Sequence, residues 1–281
     1  MNKQMRRTVV GLLTCASLTA LGAVQVKDQF TMSTGNLEGG GGGQGFAAVW
    51  DDQTATPNIT VVANSLSNGA YSSRGLVPEG NKVKSPVGAG ANLDWTASRQ
   101  LSTAIDMNSG NTYYFSFLVA GSWANQAVKR GWNIGFSTVA NALTSAITIK
   151  NGYNVSTLSY AIGGIETGYT TVGGFTSGQT LFIVGKMVTA SSGNDNLSFS
   201  VYDNTETIPA TESWDVLNNT VVSSASLGYF IINGRVNDPS SYYNFDEVRT
   251  GSSWDDVTQL PEPGMLLGAS VLALAVLRRR G

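Results

Sequence analysis

Between Val24 and Leu260, apolar residues come in short runs broken by Gly, Asn, Ser and Asp, and no stretch keeps a helical period beyond about two turns. Leu197-Ser198-Phe199-Ser200-Val201-Tyr202 alternates strictly, the pattern of a strand with one buried and one wet face. Thr180–Thr189 is more continuously apolar, as a central strand would be. The pattern predicts strands at Ile59–Val62, Tyr113–Ala120, Asn133–Ser137, Ala146–Lys150, Leu158–Ile162, Tyr169–Val172, Thr180–Thr189, Leu197–Tyr202, Ser226–Ile232 and Tyr242–Arg249. Turn signals bound them, among them Asn151-Gly152, Gly163-Gly164, Gly173-Gly174, Ser192-Gly193-Asn194-Asp195 and Asn233-Gly234. Many short strands without intervening helices predict an all-β fold, an antiparallel β-sandwich.

The two ends break this pattern. Lys3, Arg6 and Arg7 precede an apolar stretch, Thr8–Leu21, and Ala20-Leu21-Gly22-Ala23 offers small residues for cleavage after Gly22 or Ala23. Residues 1–23 therefore read as a secretory signal peptide. The lone cysteine, Cys15, falls inside it, so the exported chain would hold neither thiol nor disulfide. At the other end, Leu260-Pro261-Glu262-Pro263-Gly264 leads into an uncharged run, Met265–Leu277, and then Arg278-Arg279-Arg280. As a helix that run reaches about 20 Å, short of the roughly 30 Å hydrocarbon core. Gly264, snorkelling arginines or local bilayer thinning would make up the difference. The arginines belong on the cytoplasmic side, which places the preceding chain outside the membrane. The expected organisation is a signal peptide at 1–23, a β-sandwich ectodomain at 24–258 and a membrane-directed tail at 260–281 with a transmembrane helix.

Pro261-Glu262-Pro263, a short apolar helix and a terminal arginine cluster resemble the PEP-CTERM sorting signal of bacterial envelope proteins. The resemblance implies a membrane-embedded exosortase-type partner that recognises the Pro-Glu-Pro element. It also implies a destination at the cell surface or in an exopolysaccharide matrix, with at least transient membrane anchoring. Two prolines would hold the site extended just outside the bilayer. Within the ectodomain, Gly39–Gly43 precedes Gln44-Gly45-Phe46, a long strand follows at Thr112–Val119, and Tyr243-Asn244-Phe245-Asp246-Glu247-Val248-Arg249 leads to Ser252-Ser253-Trp254. This last stretch is similar to the closing strand and helical turn of concanavalin A-like, laminin G-like jelly rolls on bacterial surface proteins. That resemblance implies a jelly-roll sandwich, a carbohydrate ligand such as exopolysaccharide or another surface glycan, and room for a structural calcium ion.

Charge and residue types narrow the chemistry. Three basic residues sit in residues 1–23 and three after Pro263, leaving 11 of 17 against 19 acidic residues, a net charge of −8 for residues 24–263, the part that would be exported. Nucleic acid and anionic lipid are poor partners for such a surface. Histidine is absent, which removes the usual general base and the commonest metal ligand. The Glu-x-Asp-x-x-Glu strand of jelly-roll glycosidases is missing; Glu206 and Glu212 flank Pro209 in a loop, and Asp246 and Glu247 would face opposite sides of a strand. The run Glu38–Gly45 lacks the Gly-Lys-Ser/Thr ending of a phosphate loop and reads as a flexible connection. Asp51-Asp52, Asp195 with Asn194 and Asn196, Asp203 with Asn204, and Asp238 are calcium candidates that turn formation also explains. Among Trp50, Trp95, Trp123, Trp132, Trp214 and Trp254, the pair flanking the loop Gly121–Gly131, Trp123 and Trp132, is the candidate sugar platform. The expected function is a non-catalytic structural or polysaccharide-binding surface protein. A carbohydrate-active enzyme and a self-assembling or adhesive subunit are the other readings.

Overall fold

A computed structural model describes residues 26–53, 58–87, 93–123, 130–143, 146–152, 157–162, 165–172, 175–220, 226–236 and 240–259. The predicted signal peptide and the whole sorting segment, with Pro261, Glu262, Pro263 and the three arginines, lie outside them. Among the described residues, no helix is long and apolar enough to cross a membrane.

The strands are β1 (Val26–Asp28), β2 (Gly35–Asn36), β3 (Asp51–Asp52), β4 (Thr60–Val62), β5 (Lys82–Lys84), β6 (Leu93–Asp106), β7 (Thr112–Ser122) and β8 (Arg130–Ser137). They continue with β9 (Ala146–Asn151), β10 (Leu158–Ile162), β11 (Ile165–Val172), β12 (Thr180–Val188), β13 (Asp195–Tyr202), β14 (Val216–Thr220), β15 (Ser226–Val236) and β16 (Tyr242–Gly251). Two short helices are α1 (Gly69–Ser73) and α2 (Trp254–Thr258). The strands form a nine-stranded sheet, ordered β14-β13-β12-β7-β16-β5-β4-β2 with β1 also on β16, and a seven-stranded sheet, ordered β11-β10-β9-β8-β15-β6-β3. Each described pairing is antiparallel, as the alternating pattern predicts.

Alternation decides what lies between the sheets. Trp132, Ile134 and Phe136 of β8 and Phe230 and Ile232 of β15 meet Phe115, Phe117 and Val119 of β7 in one core. A second apolar cluster covers the far side of the nine-stranded sheet, where Tyr114, Leu118, Phe182 and Val184 pack under Ala70, Tyr71, Ile208, Trp254 and Val257. Asn68 caps α1, its side chain accepting from Tyr71 N at 3.0 Å. Ser253 and Asp256 cap α2 reciprocally, as the Ser-Ser-Trp signature suggests.

Three local expectations are corrected. Asn233-Gly234 is no turn, because β15 runs through it to Val236. A Cβ at Gly234 would lie 2.3 Å from Trp95 Cζ2, so the missing side chain makes room for an indole in the core. The glycine-rich run is no free connection either. Buried Arg99 donates to Gly42 O at 2.5 Å and Ala48 O at 2.8 Å, and pairs with buried Asp28 at 2.6 Å. Gly43, at φ +70°, passes so close to β1 that a Cβ would sit 2.6 Å from Lys27 O. Finally, Asp246 and Glu247 do not face opposite ways. The register of β16 against β7 shifts between Asp246 and Arg249, and Glu247 takes φ +52°. Both carboxylates thereby reach the segment around α1: Asp246 accepts from Ser65 Oγ and from Leu66 N at 2.7 Å, Glu247 from Tyr71 Oη at 2.6 Å.

Candidate functional site

The outward side of the seven-stranded sheet differs in composition from everything beneath it. On β8 the residues between the buried Trp132, Ile134 and Phe136 are Gly131, Asn133, Gly135 and Ser137. In register across five strands stand Ser159, Lys150, Asn133, Asn233 and Thr96, a continuous polar row. Asn133 Nδ2 donates to Asn233 Oδ1 at 3.3 Å, and Asn233 Nδ2 donates to Trp95 O at 3.0 Å. Thr148 Oγ1, in the neighbouring row, donates to Asn133 Oδ1 at 3.5 Å. Asn133, Thr148 and Ser159 are buried, whereas Thr96, Asn233 and Lys150 are half-buried and open to solvent.

The ends of this floor are closed differently. At one end Arg235 forks onto Asp94, its Nη2 at 2.5 Å from Oδ2. At the other the segment after β8 folds back: Ser137 Oγ donates to Ala142 O at 2.8 Å, and Asn141 donates to Ser98 Oγ at 3.1 Å and Asp51 Oδ2 at 2.9 Å. The floor offers hydroxyls, amides and one ammonium, which is hydrogen-bonding capacity as both donor and acceptor. Asp51 stands opposite Ser98, four residues from Asp94 along β6. That is about 13 Å along the strand, beyond the roughly 5–10 Å of a glycosidase carboxylate pair.

Both candidate platform tryptophans are corrected by burial. Trp132 lies in the core at 6.0 Å from the Phe245 ring, and Trp123 packs at 5.2 Å on Phe175. Relative exposures are 0% for Trp50, 1% for Trp95, 6% for Trp123, 0% for Trp132 and 6% for Trp254. Each fills space between strands distant in sequence, so none presents a ring to a sugar. Trp214 alone is half-buried. The polar row itself went unnamed in the sequence. Its signal was the outward register of Asn133–Ser137, and the apparent turn at Asn233 hid its partner.

The buried carboxylates Asp28 and Asp246, outside the floor, serve the fold. Burial pushes the Asp28 carboxyl up, against the pull of Arg99 and the hydrogen bonds from Phe30 N and Trp50 Nε1. Burial likewise raises Asp246, to about 8. Among the described residues, no group of three or more acidic, His or Cys side chains could hold a metal ion. The calcium candidates cap turns: Asp195 accepts from Ala190 N, Asp203 from Thr205 N and Asp52 from Ile59 N. Asp238 lies outside the described residues. A cleft of about 720 Å³ opens between the sheets, lined by residues including Val26, Gln44, Ser102, Asn111, Tyr113 and Thr250, and none of its described lining residues is a carboxylate, lysine or arginine.

No family model matches the chain, and no curated protein is similar to it at a significant level. Solved structures with a similar fold include a β-glucanase catalytic domain from Podospora anserina (11% identity, TM-score 0.48, 85% of this chain and 99% of that one). The Emp47p carbohydrate recognition domain is similar at 10% identity and TM-score 0.47, over 82% of this chain and 97% of its own. An endo-β-1,4-glucuronan lyase from the fungus Trichoderma reesei is similar at 15% identity and TM-score 0.44, over 77% and 97%. Identities this low carry no chemistry from those proteins to this chain.

Proposed function

We propose that the chain is an exported, non-catalytic surface protein that binds hydroxyl-rich polysaccharide on the outward face of its seven-stranded sheet. The observation that carries this is the in-register row Ser159–Lys150–Asn133–Asn233–Thr96, a floor of donors and acceptors on rigid strands. The domain is read as a concanavalin-like jelly roll. The tail at 260–281 is read as a PEP-CTERM address that an exosortase-type enzyme recognises at the membrane, with a structural calcium ion compatible with the fold. With a net charge of −8 on the exported part, neutral glycans are preferred over polyuronates.

Affinity electrophoresis of residues 24–259 through gels holding neutral or acidic polysaccharides tests the binding. Retardation by a neutral polysaccharide, lost in Lys150→Ala with Asn233→Ala, is the expected result. Unretarded migration on every gel would sink it. Delivery is tested separately, by the intact mass of the protein recovered from its native cell surface. Loss of both residues 1–23 and everything after about Pro263 is expected; a mass retaining Met265 to Gly281 would mean lasting membrane tethering instead.

A further inference from the structure

The opposite side of the molecule carries a different kind of surface. Across β7, β12, β13 and β14 the register aligns Tyr114, Lys186, Ser198 and Leu217 on the outer side of the nine-stranded sheet. Leu217 is 69% exposed. The segment joining β13 to β14 sets Glu212 and Trp214 beside this row. Glu212 accepts from Lys186 Nζ at 2.6 Å, from Trp214 Nε1 at 3.3 Å and from Tyr114 Oη. The Lys186 ammonium stands 5.4 Å from the Tyr114 ring centre and 5.9 Å from that of Trp214.

Trp214 is held on both sides. Ser200 Oγ donates to Ser213 O at 2.6 Å and accepts from Asp215 N at 3.0 Å, while Asp215 Oδ2 accepts from Val201 N at 2.9 Å. Its indole meets Trp254 nearly at right angles, 5.3 Å between centres. Of six tryptophans it alone is half-buried rather than buried. Partial burial opposes ionisation of Glu212, yet the bonds from Lys186 and Tyr114 hold its pKa below the usual value, so the cluster stays a zwitterion. A rigid, partly wet aromatic beside a neutralised pair of hydrogen-bonding charges needs little reorganisation to bind.

We propose that Trp214, Lys186 and Glu212, with Leu217 at the rim, form a saccharide subsite that takes a neutral pyranose ring. The sugar's apolar face lies against Trp214 and its hydroxyls meet the ammonium and carboxylate. A uronate is disfavoured, because the Lys186 charge is already neutralised by Glu212 and the surface around it is net negative. The subsite does not depend on the seven-stranded floor; together the two would let one domain bridge two glycan strands.

The test is titration of residues 24–259 with gluco-, manno- and galacto-hexaoses and a tetragalacturonate, read by tryptophan emission and calorimetry. A saturable emission change with a neutral hexaose is expected, weakened at least tenfold in Trp214→Ala. Trp214→Phe, which keeps a ring against Trp254, should retain an intermediate affinity. Should Trp214→Ala unfold, Lys186→Met is expected to weaken binding about fivefold or more. No response to any neutral hexaose, a response that survives Trp214→Ala, or a preference for the galacturonate would each overturn the assignment. So would a concentration-dependent dimer abolished by Trp214→Ala, which would make the patch a protein interface. Failure of the seven-stranded floor shows separately, as retardation insensitive to Lys150→Ala with Asn233→Ala.

Discussion

The two sheets share one construction and treat their outer sides in opposite ways. On the nine-stranded sheet the outward residues include Tyr114, Leu118, Phe182 and Val184, and α1, α2 and the segment around Ile208 lie over them. On the seven-stranded sheet the outward residues of β8 are glycine, asparagine and serine, and their bonds run within the sheet or to one folded-back segment. An apolar outer face must be covered to leave water, while a polar one is stable wet and stays free for a ligand. Among the described residues, the apolar cover thus lies on the nine-stranded sheet, and the proposed recognition surfaces lie on the polar face and at the rim of the covered one.

The sharpest contrast comes from Trp254→Ala, which removes the centre of the cover. It should lose about 3–5 kcal/mol of unfolding free energy in a urea titration. A loss under about 1 kcal/mol would mean the second cluster is not structural. Gly234→Ala acts from beneath the polar face, where its Cβ would meet Trp95 and, at 2.5 Å, the Gly131 carbonyl oxygen of β8, and should lose about 1–3 kcal/mol.

The covered side also predicts a pH dependence. Burial raises Asp246 to about 8 from an ordinary 3.8, so between those values the folded chain holds a proton that the unfolded chain releases. The stability from this group is full below about pH 4 and is lost as pH rises through about 8. Asp246→Asn should flatten that decline in urea midpoints taken from pH 5 to 9; parallel curves would refute it. Smallest is Thr96→Val on the open face, expected to change stability by less than about 1 kcal/mol while weakening polysaccharide retardation. A large loss of stability there would erase the distinction between the two faces.

Strand positions were legible because alternation is local. Leu197–Tyr202, Ala146–Lys150 and Leu158–Ile162 fall within β13, β9 and β10, and the long apolar Thr180–Thr189 lies centrally as β12. The longest strand, β6, was missed although Leu93, Trp95, Ala97, Arg99 and Leu101 alternate inward. An arginine on a core-facing position reads as a surface, and it is buried here because Asp28, from the other sheet, and the carbonyls of Gly42 and Ala48 receive it.

The sequence by itself determined an all-β chain, its strand spacing, the acidic balance between residues 24 and 259 and the absence of histidine and of thiols beyond Cys15. Tertiary structure alone decided which tryptophan stays wet, which asparagines share a row, and that adjacent carboxylates at 246 and 247 reach one side. The reason is physical. Period and composition act between neighbours in the chain, whereas burial, register and a bulge depend on strands a hundred or more residues away.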